Sequence, residues 1–300
     1  MHAPPSPEPG PRARGAGGVE LATWHYGGEG PPLLLAHATG FHGRCWIPFA
    51  RTLADRFDVW AFDHRGHGAS GKSPDGRYDD WSLFVEDLLA VVDTVGVTGW
   101  RGFGHSLGGA VLLLAERARP GTFASISCFE PVVMPEEVLA ANNRPESPRL
   151  NEVARKRRRS FPSKQAAWKN YTSKPPFSRF DPEALEAYVE FGFVDEPSGT
   201  VTLACDPHDE ASVYEGAAAN GAWAALPSIR PPVAVLGGEQ ADDPVGRIVE
   251  AIARRLPRGA ALRIPGVDHF GPFEEPGKVA DIAAEALGAP PGVPHGRPNP

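Results

Sequence analysis

A chain of 300 residues with 41% apolar content has the material for a large buried core, and a net charge of −7 argues against general nucleic-acid binding. No apolar run of about 18 residues is present, and the opening Met1–Glu8 is not a signal peptide, so no membrane span or export route is expected. Three widely spaced cysteines, Cys45, Cys128 and Cys205, are odd in number and read as free thiols of a reducing, cytoplasmic compartment.

Residues 1–18 and 289–300 are rich in proline and glycine and read as disordered tails. Between them, apolar runs alternate with helical patterns. A leading hairpin is expected from 19–26 and 33–36, then strands at 59–62, 100–103, 125–129, 233–236 and 262–264. Helices are expected at 81–95, 107–118, 245–256 and 277–287. This alternation predicts an α/β fold whose mostly parallel central sheet is flanked by helices on both faces, with its core in 19–134 and 228–288. Residues 135–227 break the rhythm and are too long for a loop. Helix-like stretches at 150–159, 164–171 and 182–191, with Trp168, Tyr171, Phe177, Phe180, Tyr188, Phe191 and Phe193, mark them as an inserted helical unit.

The most informative segment is Gly104-His105-Ser106-Leu107-Gly108, set between an apolar strand and an alanine- and leucine-rich helix. A serine at so sharp a turn needs neighbours without bulk two positions to either side, and its hydroxyl then stands exposed. The amide of Leu107, opening the helix, can stabilise an anion. Such a serine is a poor nucleophile alone; it requires a base, an acid to orient that base, and donors for an oxyanion. His269, on a loop after the strand at 261–264, sits where ligand sites of open α/β sheets collect.

Four motifs in order, at 33–41, at 62–70, at the Ser106 elbow and at 266–270, give residues 19–288 a resemblance to α/β-hydrolase-fold serine hydrolases. The resemblance implies Ser106 as nucleophile and His269 as base. It makes 135–227 the cap over the site and gives the second oxyanion amide to Thr39, although Ala38 stands where the family has glycine. It also implies that Asp63 and Arg65 tie down a glycine-rich turn and that His37 braces the neighbouring loop. The acid is open between two carboxylates. Asp242 follows the strand at 232–236, one residue later than the usual spacing, and Glu130 ends the strand after the elbow, where haloalkane dehalogenases and other relatives carry theirs.

The implied reaction is hydrolysis of a carboxylic ester, lactone or related small acyl compound through an acyl-enzyme, with no metal and no organic cofactor. The His64/His67 and His37/His42 spacings lack the further ligands of a zinc site. C–C bond hydrolysis, thioester cleavage and cofactor-free haloperoxidase activity share the same triad, and a non-enzymatic small-molecule receptor shares the same fold. A small-molecule substrate is the expected partner, with no nucleic acid and no membrane; a homodimer stays open. The basic run at 155–159 reads as a solvated helix face or as a patch steering an anionic substrate. Most of the aromatics at 168–193 read as the insertion's own core, with two or three facing substrate.

Overall fold

The computed structural model describes residues 7–135, 150–239 and 245–288. The first strands in chain order are β1 (Glu8–Pro9), β2 (Ala13–Arg14), β3 (Glu20–Leu21), β4 (Thr23–Gly27), β5 (Pro32–Ala36), β6 (Asp58–Phe62), β7 (Trp100–His105) and β8 (Phe123–Phe129). They are followed by β9 (Ser160–Phe161), β10 (Phe193–Asp195), β11 (Val201–Leu203), β12 (Val233–Gly238) and β13 (Gly259–Ile264). The central sheet has the order β1-β4-β6-β5-β7-β8-β12-β13; from β6 to β13 neighbouring strands are parallel, while β4 runs antiparallel to both β1 and β6.

Period-two alternation assigns the faces. In β5, Leu33 and Leu35 join Phe49 and Leu53 of α1 (Ile47–Leu53) and Val279 and Ala283 of the helix Pro276–Ala286 in one buried cluster. Leu34 and Ala36 join Phe84 and Leu88 of α2 (Trp81–Val95) and Val111 of α3 (Leu107–Ala118) in another. Both faces are covered by helices, as a parallel sheet requires.

Near the N-terminus two expectations need correction. The leading hairpin does not form, because β6 inserts between β4 and β5 and takes hydrogen bonds from both. Residues 7–18 are not a disordered tail: Glu8 and Pro9 pair with His25 and Trp24, and the amide of Gly10 donates to Thr23 O at 2.9 Å. The amide of Ala16 donates to Asp87 Oδ1 at 2.9 Å. Proline and glycine here serve an edge strand and a tight turn. The remaining tail residues, 1–6 and 289–300, lie outside the described residues.

Between β8 and β12 the described part of the insertion holds helices Leu150–Arg155, Lys164–Thr172, Pro182–Phe191, Pro207–Gly216 and Ala222–Ala225. It is not wholly helical, since β9, β10 and β11 form a small antiparallel sheet. Its helix starts are capped by side chains. Ser163 Oγ accepts from the amide of Ala166 at 3.2 Å, and Asp181 Oδ1 from Glu183 and Ala184 at 2.9 and 3.1 Å.

Candidate active site

Ser106 joins β7 to α3 with φ 54 and ψ −113, a conformation that L-residues rarely adopt. The glycines around it are required by contact. A Cβ on Gly104 would lie 2.5 Å from the amide nitrogen of Gly109, and one on Gly108 would lie 2.1 Å from Ala36 O. The turn is pinned from both neighbours in the chain's path: the Ser106 amide donates to Phe129 O at 3.0 Å, and its carbonyl accepts from Val132 at 3.1 Å. Leu107 is the first residue of α3, so its amide has no acceptor within the helix.

Those bonds place the end of β8 beside the elbow, and the next residue is Glu130. Its backbone also has positive φ, 42, and its carboxylate is wholly buried. Its amide donates to Leu236 O at 2.9 Å, joining it to β12. Oε1 accepts from the amide of Gly238 at 2.8 Å, and Oε2 lies 2.7 Å from His269 Nδ1. Of the two carboxylates left open by the sequence, Glu130 therefore meets the histidine; Asp242 lies outside the described residues.

The His269 ring is held at Nδ1 by Glu130, which keeps that nitrogen as the proton carrier and makes Nε2 the basic one. Its backbone is held as well, because His105 Nε2 lies 2.8 Å from His269 O. Burial, with the His269 ring beside it, pushes His105 well below the usual imidazole range, so it serves as a neutral donor to that carbonyl. His105 is a contributor that the sequence reading passed over. The signal available was its place next to Ser106.

The loop after β5 carries Thr39, which is buried. Two histidines brace it. His37 Nε2 accepts the amide hydrogen of His64 at 2.9 Å while Nδ1 donates to Ala38 O at 2.8 Å. His67 Nε2 accepts from the amide of Gly40 at 3.0 Å while Nδ1 donates to Arg65 O at 2.9 Å. Burial drives both rings below the ordinary histidine pKa, and each ring can accept a backbone hydrogen only when neutral. Gly40 has φ 81, which supplies the turn that Ala38 cannot.

The segment Asp63–Ser70 is scaffold with two separate jobs. Asp63 accepts from the amides of Gly43 at 2.6 Å and Ala69 at 2.7 Å and from Trp24 Nε1 at 3.1 Å, tying its own turn to the next loop. Arg65 instead forms a two-pronged buried pair with Asp87 of α2, at 2.7 and 2.6 Å.

The basic run is solvent-exposed except at Arg157, which is half-buried, but only Arg155 of it lies in a helix and three of its arginines are paired with acids. Arg155 pairs with Glu215, Arg157 with Glu210, and Arg159 with Asp206 at 3.2 Å, clamping the helix Pro207–Gly216. Arg158 spreads over the Phe161 ring at 4.3 Å. Arg157 also donates to Tyr188 Oη at 2.6 Å, and its guanidinium with Glu210 closes against Gly40. Phe41, from the same loop, packs with Phe177, Phe180, Tyr188, Phe270 and Phe273, so aromatic rings from the insertion meet those of both site loops.

Residues 33–282 match the model of the alpha/beta hydrolase family. Among curated proteins, the chain is 39% identical over 103 residues to a pimeloyl-[acyl-carrier protein] methyl ester esterase of Methylococcus capsulatus, covering 33% of this chain and 37% of the relative. It is 35% identical over 107 residues to the monoglyceride lipase of Homo sapiens, covering 34% and 35%. The chain thus spans about a third of the length of these curated relatives. Among solved structures, E-2-(acetamidomethylene)succinate hydrolase superposes with a TM-score of 0.78 at 20% identity, covering 93% of this chain and 98% of that one. The enol-lactonase of Burkholderia xenovorans LB400 gives 0.66 at 18% identity, covering 93% and 100%.

Proposed function

Because the chain belongs to the alpha/beta hydrolase family, we propose that it is a serine hydrolase cleaving a carboxylic ester, a lactone or a related acyl compound through an acyl-enzyme. Ser106 is the nucleophile, His269 the base and Glu130 the acid that orients it. The observation that carries this reading is the Glu130–His269 contact of 2.7 Å beside a serine held in a strained turn.

In the reaction, His269 Nε2 takes the hydroxyl proton as Ser106 Oγ attacks the acyl carbonyl. The resulting imidazolium is stabilised by Glu130, whose second oxygen is already occupied by Gly238 and so cannot swing away. The amides of Leu107 and Thr39 receive the oxyanion, the first with the partial positive charge of a helix start behind it. His269 returns its proton to the leaving group, then activates a water that releases the acid and restores Ser106. None of these steps draws on a metal or an organic cofactor.

Two relatives are named for ester cleavage, a methyl ester esterase and a monoglyceride lipase, which supports an ester as the substrate class. The inserted residues act as the cap: their aromatic side chains pack onto Phe41 and Phe270, next to the reacting groups, and favour an apolar substrate portion. Three buried free thiols fit a reducing cytoplasmic setting.

The test is a panel of p-nitrophenyl esters, lactones and thioesters run with intact-mass detection. A mass increment equal to the acyl group, lost in Ser106→Ala, supports the acyl-enzyme. Turnover without any such increment and undiminished in Ser106→Ala would refute it. Preference within the panel separates ester from thioester chemistry.

A further inference from the structure

The loop bearing His269 is held from two sides. From the sheet, Glu130 holds the ring and His105 holds the backbone carbonyl. From the insertion, the guanidinium of Arg179 pairs with Asp268, the residue before His269, and lies 2.9 Å from Glu274 Oε1. Glu274 closes the circuit, because its Oε2 accepts the amide hydrogen of Asp268 at 3.1 Å. The next residues reinforce the junction: the Asp181 amide donates to Phe273 O at 2.8 Å, and Phe180 packs on Phe270 and Phe273 at 5.6 Å each.

We propose that Arg179 is a positioning residue for His269, acting across the boundary between insertion and core, so that the base is correctly aimed only while the segment 177–181 is seated. The proposal rests on the reading of His269 as the base. Arg179 touches neither Ser106 nor the oxyanion amides; its influence passes through Asp268 and Glu274. Asp268 Oδ1 also accepts from the amide of Phe270 at 2.9 Å, so Asp268 fixes the backbone directly after His269 as well as before it. Glu274 is nearly buried, and burial raises its carboxyl above the usual range while Arg179 pulls it down. Without that cation, Asp268 and Glu274 are left as two adjacent carboxylates that repel and displace the loop. Displacements of about 1 Å at a reacting group cost up to about a hundredfold in rate.

The experiment compares wild type, Arg179→Gln, Arg179→Lys and Glu183→Gln. The last removes another ion pair between insertion and core, Arg51–Glu183, and touches no site loop. Two readouts are taken on folded protein, the rate of Ser106 labelling by a fluorophosphonate and the downfield proton resonance of His269 Nδ1, assigned by its loss in His269→Gln. Arg179→Gln is expected to slow labelling at least tenfold and to broaden or shift that resonance. Arg179→Lys is expected to recover most of both, and Glu183→Gln to change neither. An unchanged resonance and labelling rate in Arg179→Gln, or equal losses in Glu183→Gln, would overturn the proposal. Should wild type itself resist the probe, the serine-hydrolase reading fails, while the resonance still decides whether Arg179 positions the His269 ring.

Discussion

Glu130 lies 2.7 Å from His269 Nδ1 through Oε2 and accepts the Gly238 amide through Oε1 at 2.8 Å, so both of its oxygens are committed. The carboxylate is fixed by the strand order: β8 and β12 are neighbours, and the Glu130 amide bonds to Leu236 O of β12 at 2.9 Å. A group held at both oxygens loses little freedom when the histidine becomes charged, which is the preorganisation expected of the orienting acid.

Replacing this carboxylate by an amide gives the first prediction. Glu130→Gln keeps the volume but presents an NH2 group either to Gly238 N–H or to His269, so one contact becomes a clash of donors or the ring takes the wrong tautomer. A loss of kcat on the order of 10³- to 10⁴-fold is expected, with a modest change in KM. Asp242→Asn is expected to retain kcat within a few fold. Steady-state kinetics on the best ester of the panel would reveal a reversed ranking, which would move the acid to Asp242.

The second prediction separates chemistry from strain at the elbow. Ser106 holds φ 54 and ψ −113 at a cost of roughly 1 to 3 kcal/mol, which glycine does not incur. Ser106→Gly should therefore be inactive yet more stable than wild type by about 1 kcal/mol, after allowance for the entropy of glycine in the unfolded chain. Ser106→Ala should be equally inactive with near wild-type stability. Denaturant unfolding that finds Ser106→Gly less stable than Ser106→Ala would mean that the turn carries no such strain.

Sequence alone carried the elbow because its signal is local: Gly104, Ser106 and Gly108 obey a steric rule within one turn. The alternation of Leu33, Leu34, Leu35 and Ala36 between two buried clusters was legible for the same reason. Contacts made across the sheet were not. Nothing in the spacing of Glu130 reveals that β12 lies beside β8, and nothing in the composition of residues 7–18 reveals that Ala16 bonds to Asp87, 71 positions later. The exposure of the basic run was legible, but its pairing was not, since Glu210 and Glu215 lie on the helix Pro207–Gly216 and Asp206 caps its start, about 50 residues away in the chain.

The third prediction uses that long-range tie. Arg65 and Asp87 form a fully buried pair, and the same carboxylate accepts the Ala16 amide. Burial raises the Asp87 carboxyl while the Arg65 guanidinium lowers it, so an amide at this position leaves the cation uncompensated. Asp87→Asn is expected to cost about 3 to 5 kcal/mol, in the range for breaking a buried pair. Limited proteolysis should then cut within residues 7–18, which wild type protects. Protection equal to wild type would show that the β1–β4 pairing alone holds the segment.

The fourth prediction concerns acid. His37, His42, His64, His67 and His105 all lie below the ordinary histidine range through burial, His42 down to about 3. In the unfolded chain they take up protons near pH 6.5, whereas in the folded protein they do not. Their contribution to stability is therefore complete above about pH 6.5 and is lost as pH falls toward the folded values, at about 1.4 kcal/mol per pH unit for each histidine. Asp63 and Asp87, raised by burial, act in the opposite sense, but within the carboxylate range. The loss is thus expected to set in near pH 6.5 and to be steepest below about pH 5.5, where the unfolded rings are almost fully charged and the folded ones are still neutral. Denaturant unfolding at several pH values measures the slope; uptake of less than one proton on unfolding at pH 5.5 would contradict these neutral rings.

The last prediction concerns the arginines at 155–159. Arg155 and Arg159 form half-exposed pairs with Glu215 and Asp206, and such pairs are worth about 0 to 1 kcal/mol. Replacing both by glutamine should leave stability and kcat/KM nearly unchanged. Arg157 differs, because Glu210 is 6% exposed and the guanidinium also serves Tyr188 and Tyr171. Arg157→Met strands a buried carboxylate against Gly40 and should cost about 3 to 5 kcal/mol, with slower ester hydrolysis as the oxyanion loop loosens. Substrate charge should not matter in any of these variants, since each of the three cations already faces an acid. A kcat/KM on acidic esters that falls selectively in the Arg155, Arg159 double variant, and less so at high salt, would restore the steering role that the pairing removes.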